Sequence, residues 1–385
     1  MKQKKRKSYQ KNLVYGLTIV LSLMYILLGN RIANGSGTYE GEASYGYYLK
    51  AEVIEILDEV ENIDVLGDND GYDVRFEAEI LKGENKGKYV TATKTYDSFA
   101  ETDGTNDIQV GDKVILYSDA LTITQDWIFM AYSRSDILMI LGAVFLVLLI
   151  VFGHRKGINT IISLTFTVLA IFFVLVPAIL SGQNIYLWSI ITCVFMTVMT
   201  MLIINGADKK SIAAIVGCIS GVAVSGILIL ILNKLVHLTG IINEESVFLI
   251  SLNTDNPIDL RAIVFAAILI GAIGAIMDVA MSISSSLWEI SEQMSAPEFG
   301  ALLKSGLSIG RDIMGTMANT LILAYIGSSL ALVLLLVAYN TPMIYLFNRE
   351  MIVVEVLQAL IGSFGLLFTI PFTSVVAAKL YTVKL

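Results

Sequence analysis

The sequence predicts a mainly α-helical, polytopic membrane protein: a bundle of about eight transmembrane helices and one small, β-rich, barrel-like domain held outside the cytoplasm. Three observations predict it. Of 385 residues, 55% are hydrophobic and only 16% are charged, with a mean hydropathy of +0.72; a soluble domain carries roughly a quarter of its residues charged. Eight apolar runs approach the ~20 residues that cross a hydrocarbon core of ~30 Å. One long polar stretch, residues 30–136, holds 22 acidic against 9 basic residues and exceeds the whole-chain net charge of −8, so the remainder is net positive. The domains expected are therefore a basic tail with the first span (1–29), the acidic domain (30–136) and a seven-helix membrane domain (137–385).

The eight runs are 13–28, 137–152, 158–180, 185–204, 212–235, 263–288, 313–338 and 356–380. The first two are short, and snorkelling lysine or arginine can extend them. Lys2, Lys4, Lys5, Arg6, Lys7 and Lys11 precede the first span with no acid among them, so the N-terminus is expected in the cytoplasm. Alternation then places His154-Arg155-Lys156, Lys209-Lys210, the loop 289–312, Lys379 and Lys384 on the same side, and the acidic domain outside. No A-x-A-like cleavage site follows the first span, which is expected to be a retained anchor. Both cysteines, Cys193 and Cys218, fall inside spans and suit buried apolar positions, so the outer domain is expected to fold without disulfides. This organisation fits a bacterial plasma membrane.

In the acidic domain, strand-like alternation runs over 48–56, 72–81, 89–96, 114–117 and 121–124, separated by Gly-, Asp- and Asn-rich turns. Short strands at that spacing predict a small antiparallel barrel or sandwich, such as an OB-like one. Asp68, Asn69, Asp70 and Asp73 lack the spacing of a calcium loop and read as a hairpin turn.

Polar residues inside the spans locate any chemistry. Asp278 lies within the sixth run, about 15 Å from its cytoplasmic end at 1.5 Å per residue, where a carboxylate costs on the order of 3 kcal/mol. Ser282, Ser285 and Glu289 follow it at helical spacing on one face. Gly271, Gly274 and Ala275 precede it, where small residues let another helix approach. The seventh run opens with Arg311 and Asp312, followed by Thr316, Asn319 and Thr320, with Asn319 about 6 Å from the depth of Asp278. Asp278, Ser282, Ser285, Asn319, Thr316 and Thr320 make a candidate intramembrane site; Glu289, Arg311 and Asp312 make its candidate cytoplasmic mouth. The segment 289–310 reads as an amphipathic helix on the inner surface. Pro177 and Pro371 fall where they can kink helices.

These residues lie in Gly271-Ala-Ile-Gly-Ala-Ile-Met-Asp-Val-Ala-Met-Ser-Ile-Ser-Ser-Ser-Leu-Trp-Glu and Ile309-Gly-Arg-Asp-Ile-Met-Gly-Thr-Met-Ala-Asn-Thr-Leu-Ile-Leu-Ala-Tyr. On these motifs, with Val110-Gly-Asp-Lys-Val, Gly153-His-Arg-Lys-Gly and Asn205-Gly-Ala-Asp-Lys-Lys-Ser, the chain resembles the YibE/F family of bacterial membrane proteins. The resemblance implies the same architecture and marks the two long motifs as important; it implies no substrate.

A permease or channel for a small ion or solute is the expectation that uses the most of these residues. The alternative is a non-transporting binding, scaffold or sensor protein whose outer domain recognises a ligand or envelope component. Catalysis is not expected. Only one carboxylate lies deep, where an aspartyl protease needs two sharing a proton. His154 and His237 form no H-E-x-x-H site, and no G-x-x-x-x-G-K-[ST] loop is present. No cofactor or metal is expected and no nucleic-acid partner; the partners expected are the lipid bilayer and a small ion or solute, and the residues name no partner protein. The residues name no oligomeric state.

Overall fold

The computed structural model describes residues 2–34, 46–63, 69–97, 107–119, 126–251, 258–339 and 342–383. Two compact units emerge, one of residues 40–148 and one of 1–39 with 149–385.

The smaller unit is a closed barrel of five strands, β1 (Tyr47–Ile63), β2 (Asn69–Ile80), β3 (Tyr89–Asp97), β4 (Lys113–Ser118) and β5 (Trp127–Tyr132). Their order around the barrel is β1-β2-β3-β5-β4, with β1 and β4 closing it and β3 parallel to β5. This is the OB-like arrangement expected. Closure follows from the length of β1, which pairs with β4 over Tyr47–Glu52 and with β2 from Ala51 onward. Bulges after Val53 and Ile56 bend it around the barrel. Alternate residues point inward, so Ala51, Val53, Val74, Phe76, Ala78, Ile80, Val90, Ala92, Val114, Leu116 and Trp127 fill the core. The strand expected over 121–124 lies outside the described residues; the fifth strand is Trp127–Tyr132. Asp68 of the hairpin turn also lies outside them, whereas Asn69, Asp70 and Asp73 belong to β2.

The membrane segments comprise α1 (Lys2–Ala33), α2 (Ser135–Ala170), a π-helical turn (Ile171–Leu175), α3 (Val176–Leu180), α4 (Ile185–Asn205), α5 (Lys209–Leu235), α6 (Glu244–Ser251), α7 (Leu260–Gln293), α8 (Phe299–Ser328), α9 (Leu330–Ala338), α10 (Met343–Leu346) and α11 (Glu350–Thr382). Six helical stretches among the described residues are long and apolar enough to cross a membrane, against the eight runs expected. The runs 137–152 and 158–180 fall in one stretch of 46 residues, Ser135–Leu180. The run 313–338 is divided at Ser329 between α8 and α9.

Within the 46-residue stretch the helix is kinked at His154, whose φ of 47° and ψ of −123° are non-helical. Gly157 comes so close to the carbonyl of Leu149 that a Cβ there would overlap it. A non-glycine residue in such a conformation costs on the order of 1–3 kcal/mol. Replacing His154 by Gly is therefore expected to stabilise the protein by about 1 kcal/mol after the extra unfolded-state entropy of glycine is deducted. Thermal unfolding in detergent measures this, with His154→Ala as the control that should gain nothing.

The π-helical turn has an identifiable cause. Pro177 has no N–H to donate to the carbonyl of Phe173, four residues earlier. Instead Asn30 of α1 donates its side-chain amide to that oxygen at 2.6 Å. Tyr25 stacks on Phe195 of α4 at 4.0 Å between ring centroids, and Tyr15 donates to Asn159. The first helix thus packs as a member of the bundle. Asn30→Leu strands the Phe173 carbonyl and should cost roughly 1–3 kcal/mol, read as a lowered melting temperature.

At the centre, α11 packs against α5, α7 and α8. Gly217, Gly221 and Ser225 of α5 face Thr373, Thr369 and Gly365 of α11, so small residues every fourth position bring two antiparallel backbones together. At the α5 start, Lys209 donates to the carbonyls of Leu380 and Val383, closing the C-terminal end of α11.

Candidate functional site

Helix α7 is hydrophobic on the face that meets α5 and α11, where Phe265, Ile268, Ala272, Ile276, Val279, Ile283 and Leu287 are buried. The opposite face carries Ala267, Gly271, Gly274, Asp278, Ser282 and Glu289, all exposed, with Ser285 half-buried beside them. Asp278 lies near the middle of α7, because the helix continues five residues past Trp288 to Gln293. That is further from the helix end than the sequence run implied.

Two contacts fix the register of α7 against α8. Leu321 and Ala272 meet across Gly362, and Leu287 reaches Gly306. Each pair is separated by the same fifteen residues along its helix, so the two helices run antiparallel without slippage. Asp278, six residues on from Ala272, is then level with Gly315, six residues back from Leu321. Asn319 stands one turn to one side of that level and Arg311 one turn to the other, about 6 Å away along the axis in each case. Asp312, Thr316, Asn319 and Arg311 are exposed on α8. Among the described residues no hydrogen bond or ion pair joins Asp278, Ser282, Ser285, Asn319, Arg311 or Asp312 to the rest of the chain.

The other predicted residues divide. Thr316 donates to the carbonyl of Ile313 and Thr320 to that of Thr316; their hydroxyls serve their own helix. Arg311 and Asp312 do not stand at a helix start. The amphipathic segment expected on the membrane surface is continuous with the span, so α8 begins at Phe299 and Arg311 lies twelve residues, about 18 Å, into it. Leu302, Gly306 and Gly310 are buried, and Gly306 and Gly310 approach Ser374 and Ile370 of α11. Part of the apolar stripe that suggested a surface helix, at Leu302, is therefore a helix–helix contact, whereas Phe299 and Leu307 stay exposed. Gly271 and Gly274 also differ: a Cβ on Gly271 would meet the Tyr325 hydroxyl, whereas nothing lies within 4 Å of Gly274.

Sequence reasoning missed two polar positions. Ser284 is fully buried and bonds to the Lys210 carbonyl and the Tyr381 hydroxyl, each at 2.7 Å, tying α7 to α5 and α11. Glu355 lies in the second turn of α11 with Oε2 buried and unpartnered. It stands one residue before the apolar run 356–380, and an acid at the edge of a run carries little signal of burial.

A family model described as YibE/F-like protein matches residues 141–383. No curated protein matches the chain, and no solved structure does.

Proposed function

Because the chain belongs to the YibE/F-like family and its matched region is a bundle of apolar helices, we propose that it is a multi-pass permease or channel for a proton, a small cation or a solute coupled to one. The observation that carries this reading is a single arrangement. An acid, an amide and a guanidinium stand within a turn of one level on two antiparallel helices, each residue exposed and without a hydrogen bond or ion pair among the described residues. Unpartnered charge inside a membrane protein is expensive and is retained where an ion or proton passes. Asp278 would take up the cation or proton, Asn319 and Ser282 would offer oxygen ligands, and Arg311 would set the local field.

We place the protein in a bacterial plasma membrane with both termini cytoplasmic and the barrel outside, on the strength of the basic clusters near the spans. In this reading the stretch Ser135–Leu180 crosses twice, reversing at His154, and α8 with α9 crosses once, which gives eight passages. The role is that of a carrier rather than an enzyme. Purified protein in liposomes with an internal pH dye, under an imposed proton gradient, should show flux above protein-free liposomes. Absence of flux across a panel of cations and pH gradients would leave the second reading, a membrane-anchored binding or sensor protein. The observation favouring that alternative is that the closed barrel forms a compact unit of its own.

A further inference from the structure

Asp278, Asn319 and Arg311 are exposed, and among the described residues no hydrogen bond or ion pair joins them to the rest of the chain. An acid and a guanidinium well inside apolar helices are costly without a counter-charge. Lipid tails supply none, and neither does an apolar helix. An occupant that suits these residues brings a base toward Asp278 and an acid toward Arg311.

The chain itself carries both, in a pattern that fits a second copy. By the register set where Leu321 meets Ala272 and Leu287 meets Gly306, Gly274 is level with Asn319, Asp278 with Gly315 and Ser282 with Arg311. Each helix spaces its three residues four apart, so each set lies on one face. At every level a large polar residue on one helix is matched by a small one on the other. All six are exposed. Within one chain they do not close on each other, because a Cβ on Gly274 or Gly315 would meet nothing within 4 Å.

Two copies inserted in a bilayer in the same direction share a two-fold axis along the membrane normal, so every residue keeps its depth. A self-complementary contact about that axis brings α7 of each subunit onto α8 of the other at the same levels. Asn319, Asp278 and Arg311 then enter the gaps at Gly274, Gly315 and Ser282, where small residues let the backbones approach. The partner subunit's Arg311 lies one turn, about 6 Å, along the axis from Asp278, a distance its extended side chain covers. We propose that this α7–α8 face is a homodimer interface, with the partner's Arg311 as the counter-charge of Asp278. The dimer requires that α7 and α8 cross a membrane and does not require that anything be carried. Where the permease reading holds, its polar residues lie at the seam between two subunits.

The test uses the full-length protein in lipid nanodiscs and in membranes. Light scattering should give twice the chain mass of 42.0 kDa. A Gly274→Cys chain and an Asn319→Cys chain, both with Cys193 and Cys218 replaced by Ala, should form more disulfide-linked dimer when co-expressed and oxidised than either does alone. Gly274→Leu and Gly315→Leu should each raise the dissociation constant about tenfold or more. The subunit should still melt at the parent's temperature, because its core lies within one chain. One chain mass at every protein-to-lipid ratio, the outcome for a face bathed in water, would overturn the proposal. So would three or more chain masses, a component of another mass, or no excess of cross-linking on co-expression. A dimer indifferent to both leucines would place the contact elsewhere and overturn it as well. Flux from a monomer would remove the interface and spare the permease reading; a cross-linked dimer without flux would do the reverse.

Discussion

Asp278→Asn is expected to reduce proton-linked flux in liposomes to the protein-free background, whereas Asp278→Glu retains a measurable part of it. Asparagine keeps the shape and a carbonyl oxygen but can neither carry a negative charge nor release a proton, so only the titrating function is removed. The usual objection, that a loss reflects misfolding, runs against the energetics here. A carboxylate in a membrane helix costs on the order of 3 kcal/mol on insertion scales, and Asp278 makes no bond that asparagine would break. The variant should melt at the same temperature as the parent or higher while losing flux. Asn319→Ala should weaken flux without abolishing it, because a water can replace one oxygen ligand. Thr316→Val and Thr320→Val should leave it unchanged, since those hydroxyls are occupied by their own helix. Undiminished flux in Asp278→Asn would take this residue out of the mechanism and, with it, the arrangement on which the proposed function rests.

These residues also mark how far the amino-acid sequence could be read. Asp278 was legible because a lone acid in a long apolar run is rare and its helical neighbours follow from a fixed period. The barrel was legible from two-residue alternation and turn chemistry, down to the strands at 48–56 and 89–96. The kink at His154 was not, because a polar turn between two apolar runs reads as a loop whether the helices continue or reverse. Nor was the start of α8: Leu302, Gly306 and Gly310 share one stripe with the apolar residues of a surface helix, and periodicity does not say whether lipid headgroups or α11 covers that stripe. The glycines posed the same difficulty. Gly271, Gly274, Gly217 and Gly221 are equally small residues in equally apolar runs, yet one borders a polar gap, one faces open space and two sit against a neighbouring backbone. Only the partner helix distinguishes them, and partner identity is a long-range property that no local pattern encodes.

That difference sets the largest stability effect expected in the bundle, at Gly221. Its missing Cβ is replaced by contact with the Thr369 hydroxyl, with the carbonyl of Gly365 only 2.8 Å and the Ile276 side chain 3.3 Å from where a Cβ would stand. A hydroxyl can rotate away, but the Gly365 carbonyl is backbone within α11 and cannot move without separating the helices. Separation would also pull Gly217 from Thr373 and Ser225 from Gly365, because all three contacts lie on one ridge. Gly221→Leu should therefore destabilise the fold by the upper part of the roughly 1–3 kcal/mol typical of overpacking, or beyond it, with Gly221→Ala intermediate. A Cβ at Gly274 meets nothing within 4 Å, and the same leucine there should leave the melting temperature nearly unchanged. Size-exclusion profiles after a temperature ramp in detergent separate the two: the Gly221 variant should lose its monodisperse peak at a lower temperature than the Gly274 variant. If both survive equally, the close approach of α5 and α11 is not what holds the centre of the bundle together.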